Sequence, residues 1–170
     1  MTHGTSLTVR ERVVAMATFA ASADLNDRLV TYAVGASLGI TVYDPEQRVG
    51  GLLHAMLPSS ALDAEHARTS PAQFVDTGLQ AVFRAVYELG GVKSRLVVKV
   101  VGGAWREETS PFGAMQLGER NLVACRALLG RNGVAVASEE VGGTDPARTV
   151  MLDIASGDVT VRCGGRQMVI

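Results

Sequence analysis

Apolar residues recur every three to four positions between residues 71 and 89, which is the periodicity of an amphipathic α-helix. The stripe comprises Phe74, Val75, Leu79, Val82, Phe83, Val86 and Tyr87. The sequence therefore predicts a helix over Pro71–Leu89, with Ser70 as its N-cap and Gly90-Gly91 at its end. A second helix is predicted over Gln116–Leu129 and is closed by a glycine.

Most of the other apolar positions form short β-prone segments that are separated by glycine, proline and polar residues. Asp44-Pro45 predicts a tight turn between two of them, because proline presets φ for the second position of a turn. The predicted strands are Arg12–Ala21, Leu29–Val34, Leu38–Tyr43, Val49–Leu57, Leu96–Val101, Val134–Ala137, Thr149–Ile154 and Val159–Cys163. Hairpins outnumber strand–helix–strand units, so we expect an α+β fold, a layered sandwich of two main helices and a mostly antiparallel sheet.

Composition narrows the class of protein. The 170 residues are 47% hydrophobic and 19% charged, which suits a single domain over residues 1–170, with the polar residues 1–10 expected to be flexible. Sixteen basic and 17 acidic residues leave a net charge of −1, which predicts no nucleic-acid partner. The sequence shows neither a transmembrane segment nor a secretory signal, and its two distant cysteines are typical of a reducing compartment. We expect a cytoplasmic protein.

Histidine and cysteine offer little obvious chemistry. His3 lies in the polar N-terminus and His66 in a charged segment, where we expect exposure to solvent. Cys125 falls on the core stripe of the second helix and Cys163 alternates with apolar residues of a strand, so both are predicted to be core residues. No histidine or cysteine pair has metal-ligand spacing, and we expect neither a metal nor a cofactor.

His54 is different because it lies inside an apolar strand, between Leu53 and Ala55. Two interpretations are open. The pattern favours a core histidine whose ring nitrogens are satisfied by hydrogen bonds. The alternative is a general base, since imidazole has an unperturbed pKa near neutrality.

Several glycines also suggest local chemistry. Gly35-Ala36-Ser37-Leu38-Gly39 matches the serine-hydrolase elbow, but that elbow needs a following helix, so a bend between strands is favoured. Gly102-Gly103 and Gly142-Gly143 could present N–H groups to an anion, although tight turns are favoured without a phosphate-binding fingerprint. Trp105 and the segment Arg106–Phe112 form a candidate partner-contact surface.

A series of ordered motifs resembles the CheD family of chemoreceptor glutamine deamidases. The resemblance covers about Val13 to Arg162, which is most of the chain. The motifs are Thr31–Leu38, Tyr43-Asp44-Pro45, Gly50–Pro58, Phe74-Val75-Asp76, Lys99–Ala104, Gly118-Glu119-Arg120-Asn121, Val141-Gly142-Gly143, Ala147–Val150 and Ser156–Val159.

This resemblance implies a fold and a function. The fold would be an α/β sandwich similar to the catalytic domain of cytotoxic necrotizing factor toxins. The activity would be hydrolysis of receptor glutamine side chains to glutamate and ammonia, with a cysteine nucleophile, a histidine base, an orienting threonine and no metal. The implied partners are helices of methyl-accepting chemoreceptors and, for some members, the CheC phosphatase.

Carried over to this sequence, the histidine falls on His54, the threonine on Thr31 and the nucleophile on Ser37. The usual Gly-Ser-Cys is here Gly35-Ala36-Ser37, and the loop Gly142–Pro146 also departs from the family pattern. A thiol ionises beside an imidazolium, whereas a serine hydroxyl must lose its proton to a base during attack.

Three explanations of Ser37 are open: a natural relative that binds without deamidating, an engineered Cys→Ser replacement in an active enzyme, and a working serine variant. The alternative function is therefore a catalytically impaired binding module for chemoreceptor helices or CheC.

Overall fold

The computed structural model describes residues 8–105, 116–144 and 147–170, and within these the chain forms ten strands and three α-helices. The helices are α1 (Ala64–Thr69), α2 (Val75–Glu88) and α3 (Leu117–Arg131). The strands are β1 (Arg10–Val13), β2 (Phe19–Ser22), β3 (Asp27–Val34), β4 (Leu38–Asp44), β5 (Val49–Ala55), β6 (Val97–Gly102), β7 (Val136–Val141), β8 (Arg148–Asp153), β9 (Val159–Cys163) and β10 (Arg166–Val169). The α+β prediction is confirmed.

The strands form two five-stranded sheets. The outer sheet has the order β1-β3-β8-β9-β10, and the central sheet has the order β2-β5-β4-β6-β7. Two pairs are parallel, β1 with β3 and β6 with β7, and the other pairs are antiparallel. The mostly antiparallel prediction is therefore confirmed, but the strands are divided between two layers.

The prediction of one continuous strand over Arg12–Ala21 was wrong, because this segment belongs to two strands. The chain leaves the outer sheet after Val13 and joins the central sheet at Phe19. Ala17 lies in the left-handed region (φ 59°), which no continuous strand accommodates. Its N–H donates to the carbonyl oxygen of His54 at 3.0 Å. The crossing therefore connects the two sheets beside the histidine.

The central sheet is buried on both faces, which explains why every residue of β4 and β5 is buried. Ile40 and Leu53 pack towards α2 and α3 in one apolar cluster. Leu52 packs between the sheets in a second cluster, together with Leu29 and Val150 of the outer sheet. Because side chains alternate along a strand, His54 shares the inter-sheet face of β5 with Leu52.

The first long helix begins at Val75, not at Pro71. Residues Pro71–Gln73 form a 3₁₀ turn, and Phe74 is extended and fully buried. Ser70 makes no side-chain capping bond. The N–H of Val75 instead donates to the carbonyl oxygen of Leu57 at 2.8 Å, so this segment is fixed by its pairing with the end of the β5 segment rather than by a cap.

Other boundaries differ by a few residues. The second predicted helix continues through Gly130 to Arg131, and β7 begins at Val136 rather than Val134. Strand β10 and the short helix α1 were not predicted. Of the N-terminal residues expected to be flexible, residues 1–7 lie outside the described part of the chain, and Arg10 begins β1. Across the described residues, no helix is long and apolar enough to span a bilayer.

Candidate active site

The loop that carries Ser37 lies between two strands and is held by the backbone of a third. The N–H of Gly103 donates to the carbonyl oxygen of Ser37 at 3.0 Å, and the N–H of Ala104 donates to that of Gly35 at 2.9 Å. Gly102 has φ 114°, and a Cβ there would lie 2.2 Å from the Ser37 carbonyl oxygen. Glycine is required at this close approach.

The predicted bend at Gly35–Gly39 is confirmed, because residues 35–37 connect β3 to β4, and the serine is followed by the strand that begins at Leu38 and not by a helix. The serine-hydrolase elbow interpretation therefore lacks its structural context. Ser37 is still well placed for chemistry, since it is only 6% exposed and its hydroxyl faces a ring nitrogen of His54.

Thr31, Ser37 and His54 come from three separate segments and meet between the two sheets. Ser37 Oγ lies 2.8 Å from His54 Nε2, and Thr31 Oγ1 lies 2.7 Å from His54 Nδ1. Thr31 and His54 are fully buried. The two interpretations of His54 converge here, because a core histidine with both ring nitrogens satisfied is also bonded to a hydroxyl that could act as a nucleophile.

The hydrogen bonds of Thr31 determine which ring nitrogen of His54 carries the proton. Thr31 Oγ1 donates to the carbonyl oxygen of Val14 at 2.7 Å. A carbonyl oxygen only accepts and a hydroxyl has one proton, so Thr31 must accept from His54 Nδ1–H. The lone pair of Nε2 therefore faces the Ser37 hydroxyl, which is the arrangement a general base needs.

Burial lowers the pKa of His54 from 6.5 to about 4. A neutral threonine hydroxyl orients the ring, but it stabilises an imidazolium less than a carboxylate in the same position does. His54 is therefore neutral at pH 7 and free to accept a proton at Nε2.

Asn121 of α3 is a site residue to which sequence reasoning gave no role. Its side chain is buried, and Nδ2 donates to the carbonyl oxygens of Ala36 at 3.0 Å and Met56 at 3.1 Å. The available signal was a polar residue at i, i+4 spacing between Leu117 and Cys125 on the buried face of the helix.

Arg148 is a second buried polar residue near the site, with 1% exposure. It forms an ion pair with Glu140, and its Nη2 donates to the carbonyl oxygen of Gly142 at 2.8 Å. The N–H of Gly142 in turn donates to the carbonyl oxygen of Gly102 at 2.9 Å. Gly102-Gly103 and Gly142-Gly143 thus form turns whose backbone groups hydrogen-bond to each other and to the Ser37 loop. This agrees with the turn interpretation.

The remaining predicted residues lie away from the cluster of Thr31, Ser37 and His54. His66 is exposed on α1, as expected, with its ring 6.3 Å from that of Phe74. Cys125 and Cys163 are buried, as expected, and burial raises the pKa of Cys125 to about 12. His3 lies outside the described residues.

Trp105 is 49% exposed, and its N–H donates to the carbonyl oxygen of Gly143 at 2.7 Å. The rest of the predicted contact surface, residues 106–112, lies outside the described part of the chain. Among the described residues, no group of three or more histidine, cysteine, aspartate or glutamate side chains is arranged to hold a metal ion.

Comparison with known proteins gives the family. A family model described as CheD chemotactic sensory transduction matches residues 56–163, which is more than half of the chain. A relative from Syntrophus aciditrophicus is 40% identical over 153 residues, covering 90% of this chain and 94% of its own length. The chain belongs to the CheD family. The matched model region contains Asn121 and Arg148 and begins two residues after His54.

CheD relatives from two further organisms show similar identities. The protein from Solibacter usitatus is 39% identical over 82% of this chain and 80% of its own length. The protein from Pyrococcus abyssi is 40% identical over 78% of this chain and 79% of its own length. Both, like the Syntrophus protein, are named probable chemoreceptor glutamine deamidases.

Proposed function

We propose that this CheD chain is a chemoreceptor glutamine deamidase scaffold whose catalytic residues are Ser37, His54 and Thr31. The observation that carries the proposal is the continuous hydrogen-bond chain from the Val14 carbonyl through Thr31 and His54 to the Ser37 hydroxyl. Relatives covering most of this chain are named for the same activity. The substrate class is a glutamine side chain on a chemoreceptor helix.

The first half of the reaction transfers the acyl group. Ser37 Oγ attacks the amide carbon of the glutamine while its proton moves to His54 Nε2. Collapse of the tetrahedral intermediate breaks the carbon–nitrogen bond, and Nε2 returns the proton to the leaving nitrogen. Ammonia leaves, and the glutamyl group is held as an ester on Ser37.

The second half restores the protein. Water attacks the ester carbon, and His54 Nε2 accepts a proton from the water. The carbon–oxygen bond to Ser37 breaks, Oγ regains the proton, and the glutamate side chain is released. Thr31 holds the ring in the required tautomer throughout, and no step needs a metal or an organic cofactor.

The chemistry of the nucleophile decides how fast this chain can react. The resemblance to CheD proteins places a serine where those proteins use a cysteine. A thiol has an ordinary pKa of about 8.5 and gives up its proton readily to a neutral imidazole. A serine hydroxyl is far less acidic, and here the partner of His54 Nδ1 is the neutral Thr31 hydroxyl rather than a carboxylate that would stabilise the imidazolium. We therefore expect slow turnover with Ser37 and faster turnover with cysteine at this position.

The serine at position 37 also favours a second candidate function. A site with an intact Thr31–His54 pair and an unactivated hydroxyl can hold a glutamine-bearing receptor helix without converting it. In that case the chain is a binding module for chemoreceptor helices or for the CheC phosphatase. The compartment we propose is the cytoplasm, on the sequence-level argument from its two distant cysteines.

The decisive experiment compares this chain with its Ser37→Cys variant on a receptor helix peptide. Released ammonia and the mass change from amide to acid are measured together. Ser37→Cys is expected to raise turnover by at least tenfold, and His54→Ala in that background is expected to abolish it. Ser94→Cys is the matched control, because Ser94 is exposed in the 3₁₀ turn Lys93–Arg95, which precedes β6 at the end away from Ser37.

Two results would contradict the catalytic proposal: no turnover by folded Ser37→Cys, or turnover that survives His54→Ala. A calorimetric titration of the unaltered chain with the receptor peptide and with CheC then tests the binding module. Binding of either partner, without turnover by the unaltered chain or by Ser37→Cys, supports the binding module. If neither the receptor peptide nor CheC binds, the binding module is wrong.

A further inference from the structure

Asn121 connects the two backbone segments that carry the nucleophile and the base. Ala36, whose carbonyl oxygen accepts one bond, immediately precedes Ser37. Met56, whose carbonyl oxygen accepts the other, lies two residues beyond His54. One amide group on α3 therefore links the segment that carries Ser37 to the segment that carries His54.

The chemistry of the amide makes this arrangement specific. Two carbonyl acceptors need two donors, and the NH₂ group of asparagine supplies both from a single atom. Asn121 Oδ1 is buried and has no hydrogen-bond partner among the described residues. A buried oxygen without a partner costs stability, so helix packing alone does not account for an asparagine here.

The position of α3 is itself fixed against the same loop. A Cβ at Gly118, one turn before Asn121, would lie 2.4 Å from the carbonyl oxygen of Ala104. Ala104 and its neighbour Gly103 hold the carbonyl oxygens of Gly35 and Ser37. The amide of Asn121 is therefore presented by a helix that packs closely against the backbone holding the Ser37 loop.

We propose that Asn121 is a positioning residue that sets the separation between Ser37 Oγ and His54 Nε2. Its catalytic consequence rests on the proposed function, but the geometric role does not require turnover. Replacing its donors removes this link between Ala36 and Met56, whereas the backbone bonds from Gly103 and Ala104 to the Ser37 loop remain. We expect the loop to shift relative to the end of β5 rather than to separate from it. A displacement of about 1 Å at reacting atoms can cost on the order of 10²-fold in rate.

The test uses Ser37→Cys, whose thiol reports the contact with His54 through its alkylation rate. The pKa of about 4 for His54 applies to the chain with Ser37; in the cysteine variant a thiolate and an imidazolium can stabilise each other across this contact. With iodoacetamide, we therefore expect the apparent pKa of the thiol to lie below its ordinary value of about 8.5. Asn121→Leu keeps the approximate size but has no donor, and we expect it to return the apparent pKa to the ordinary value. At pH 7 this corresponds to a loss of roughly tenfold in alkylation rate.

Two comparisons separate positioning from general destabilisation. Adding His54→Ala to Asn121→Leu is expected to cause no further change, because both remove the same interaction. Asn132→Leu is the matched control: Asn132 is exposed at the end of α3 and its Nδ2 donates to the Leu128 carbonyl oxygen at 2.8 Å. We expect this variant to keep the parent pH profile.

The buried Cys125 is an internal monitor of folding, since it reacts slowly in an intact protein. If Cys125 becomes reactive in Asn121→Leu, the test uses Asn121→Ser instead. The serine hydroxyl retains one donor, so we expect an intermediate apparent pKa for the thiol at position 37. A parent-like pH profile in the folded variant, or an effect that adds to that of His54→Ala, would overturn the proposal. Absence of deamidation with an intact His54-dependent profile would refute only the proposed function.

Discussion

At the scale of single residues, the site is held by neutral groups. Val14 accepts from Thr31, Thr31 accepts from His54, and the free lone pair of His54 Nε2 faces Ser37. The tautomer is thus determined by a backbone carbonyl oxygen and one hydroxyl, and the group bonded to His54 Nδ1 is not a carboxylate. This arrangement suits a nucleophile that needs little help to ionise.

Thr31→Val is expected to lower turnover in the Ser37→Cys background by about 10- to 10²-fold, because valine has nearly the same shape but cannot accept from Nδ1–H. Thr31→Ser keeps the hydroxyl and is expected to retain most of the activity. Steady-state assays with the receptor peptide check both variants. Equal rates for valine and serine at this position would show that the hydroxyl does not orient the ring.

The buried His54 also predicts how stability depends on pH. Its pKa is lowered from 6.5 to about 4 in the folded chain, so between these values the unfolded chain binds more protons. The neutral buried His54 makes its full contribution to the free energy of unfolding above about pH 6.5. This contribution is lost as the pH falls towards 4, and the loss is up to about 3 kcal/mol.

Urea unfolding at pH 7 and pH 4.5 checks this value in the parent and in His54→Asn, whose side chain does not titrate. The drop in stability between the two pH values is expected to be smaller in the variant by most of that amount. His66→Asn removes an exposed histidine and is expected to behave like the parent. A drop of equal size in His54→Asn would contradict the assignment.

At the scale of elements, the strands of the central sheet were largely predictable and their breaks were not. Continuous apolar segments indicated β4 and β5, since both faces of that sheet are buried. The pattern of residues 12–21 contains nothing that marks the crossing at Ala17, because alanine carries no turn signal. The crossing depends on the backbone contact of Ala17 with His54, which is a tertiary feature.

The end of β6 is the most constrained element of the site. Gly102→Ala places a Cβ at 2.2 Å from the Ser37 carbonyl oxygen in addition to its positive φ of 114°. Gly133 also has a positive φ, 67°, but nothing lies within 4 Å of a Cβ there. Gly133→Ala is expected to cost about 1–2 kcal/mol, and Gly102→Ala at least about 1 kcal/mol more, in chemical denaturation. Equal losses would show that the close approach to Ser37 is readily relieved.

At the scale of the whole molecule, the site exists only because two sheets pack face to face. Thr31 belongs to the outer sheet, whereas His54 and the strand that follows Ser37 belong to the central sheet. The buried Arg148 of the outer sheet and the partly exposed Glu140 of the central sheet join the layers near the Ser37 loop through an ion pair. The integrity of the site and that of the sheet packing are therefore linked.

Arg148→Met is expected to destabilise the chain by about 3 kcal/mol, because it removes a fully buried cation that pairs with Glu140 and donates to the Gly142 carbonyl oxygen. The neighbouring pair of Arg126 with Glu139 is the matched control, since the Arg126 side chain is 51% exposed. Arg126→Met is expected to cost less than about 1 kcal/mol. Urea denaturation of both variants checks the contrast, and similar losses would contradict a structural role for the buried Arg148.

The sequence by itself determined the α+β class, most strands, the two long helices and the burial of both cysteines, because these follow from periodicities within a few residues. Through its resemblance to CheD proteins it also indicated Thr31, Ser37 and His54. Only the tertiary structure decided the split into two sheets, the tautomer of His54 and the contact of Asn121 with Ala36, 85 positions away. Such contacts depend on which elements pack together, and local hydrophobic periodicity does not encode that choice.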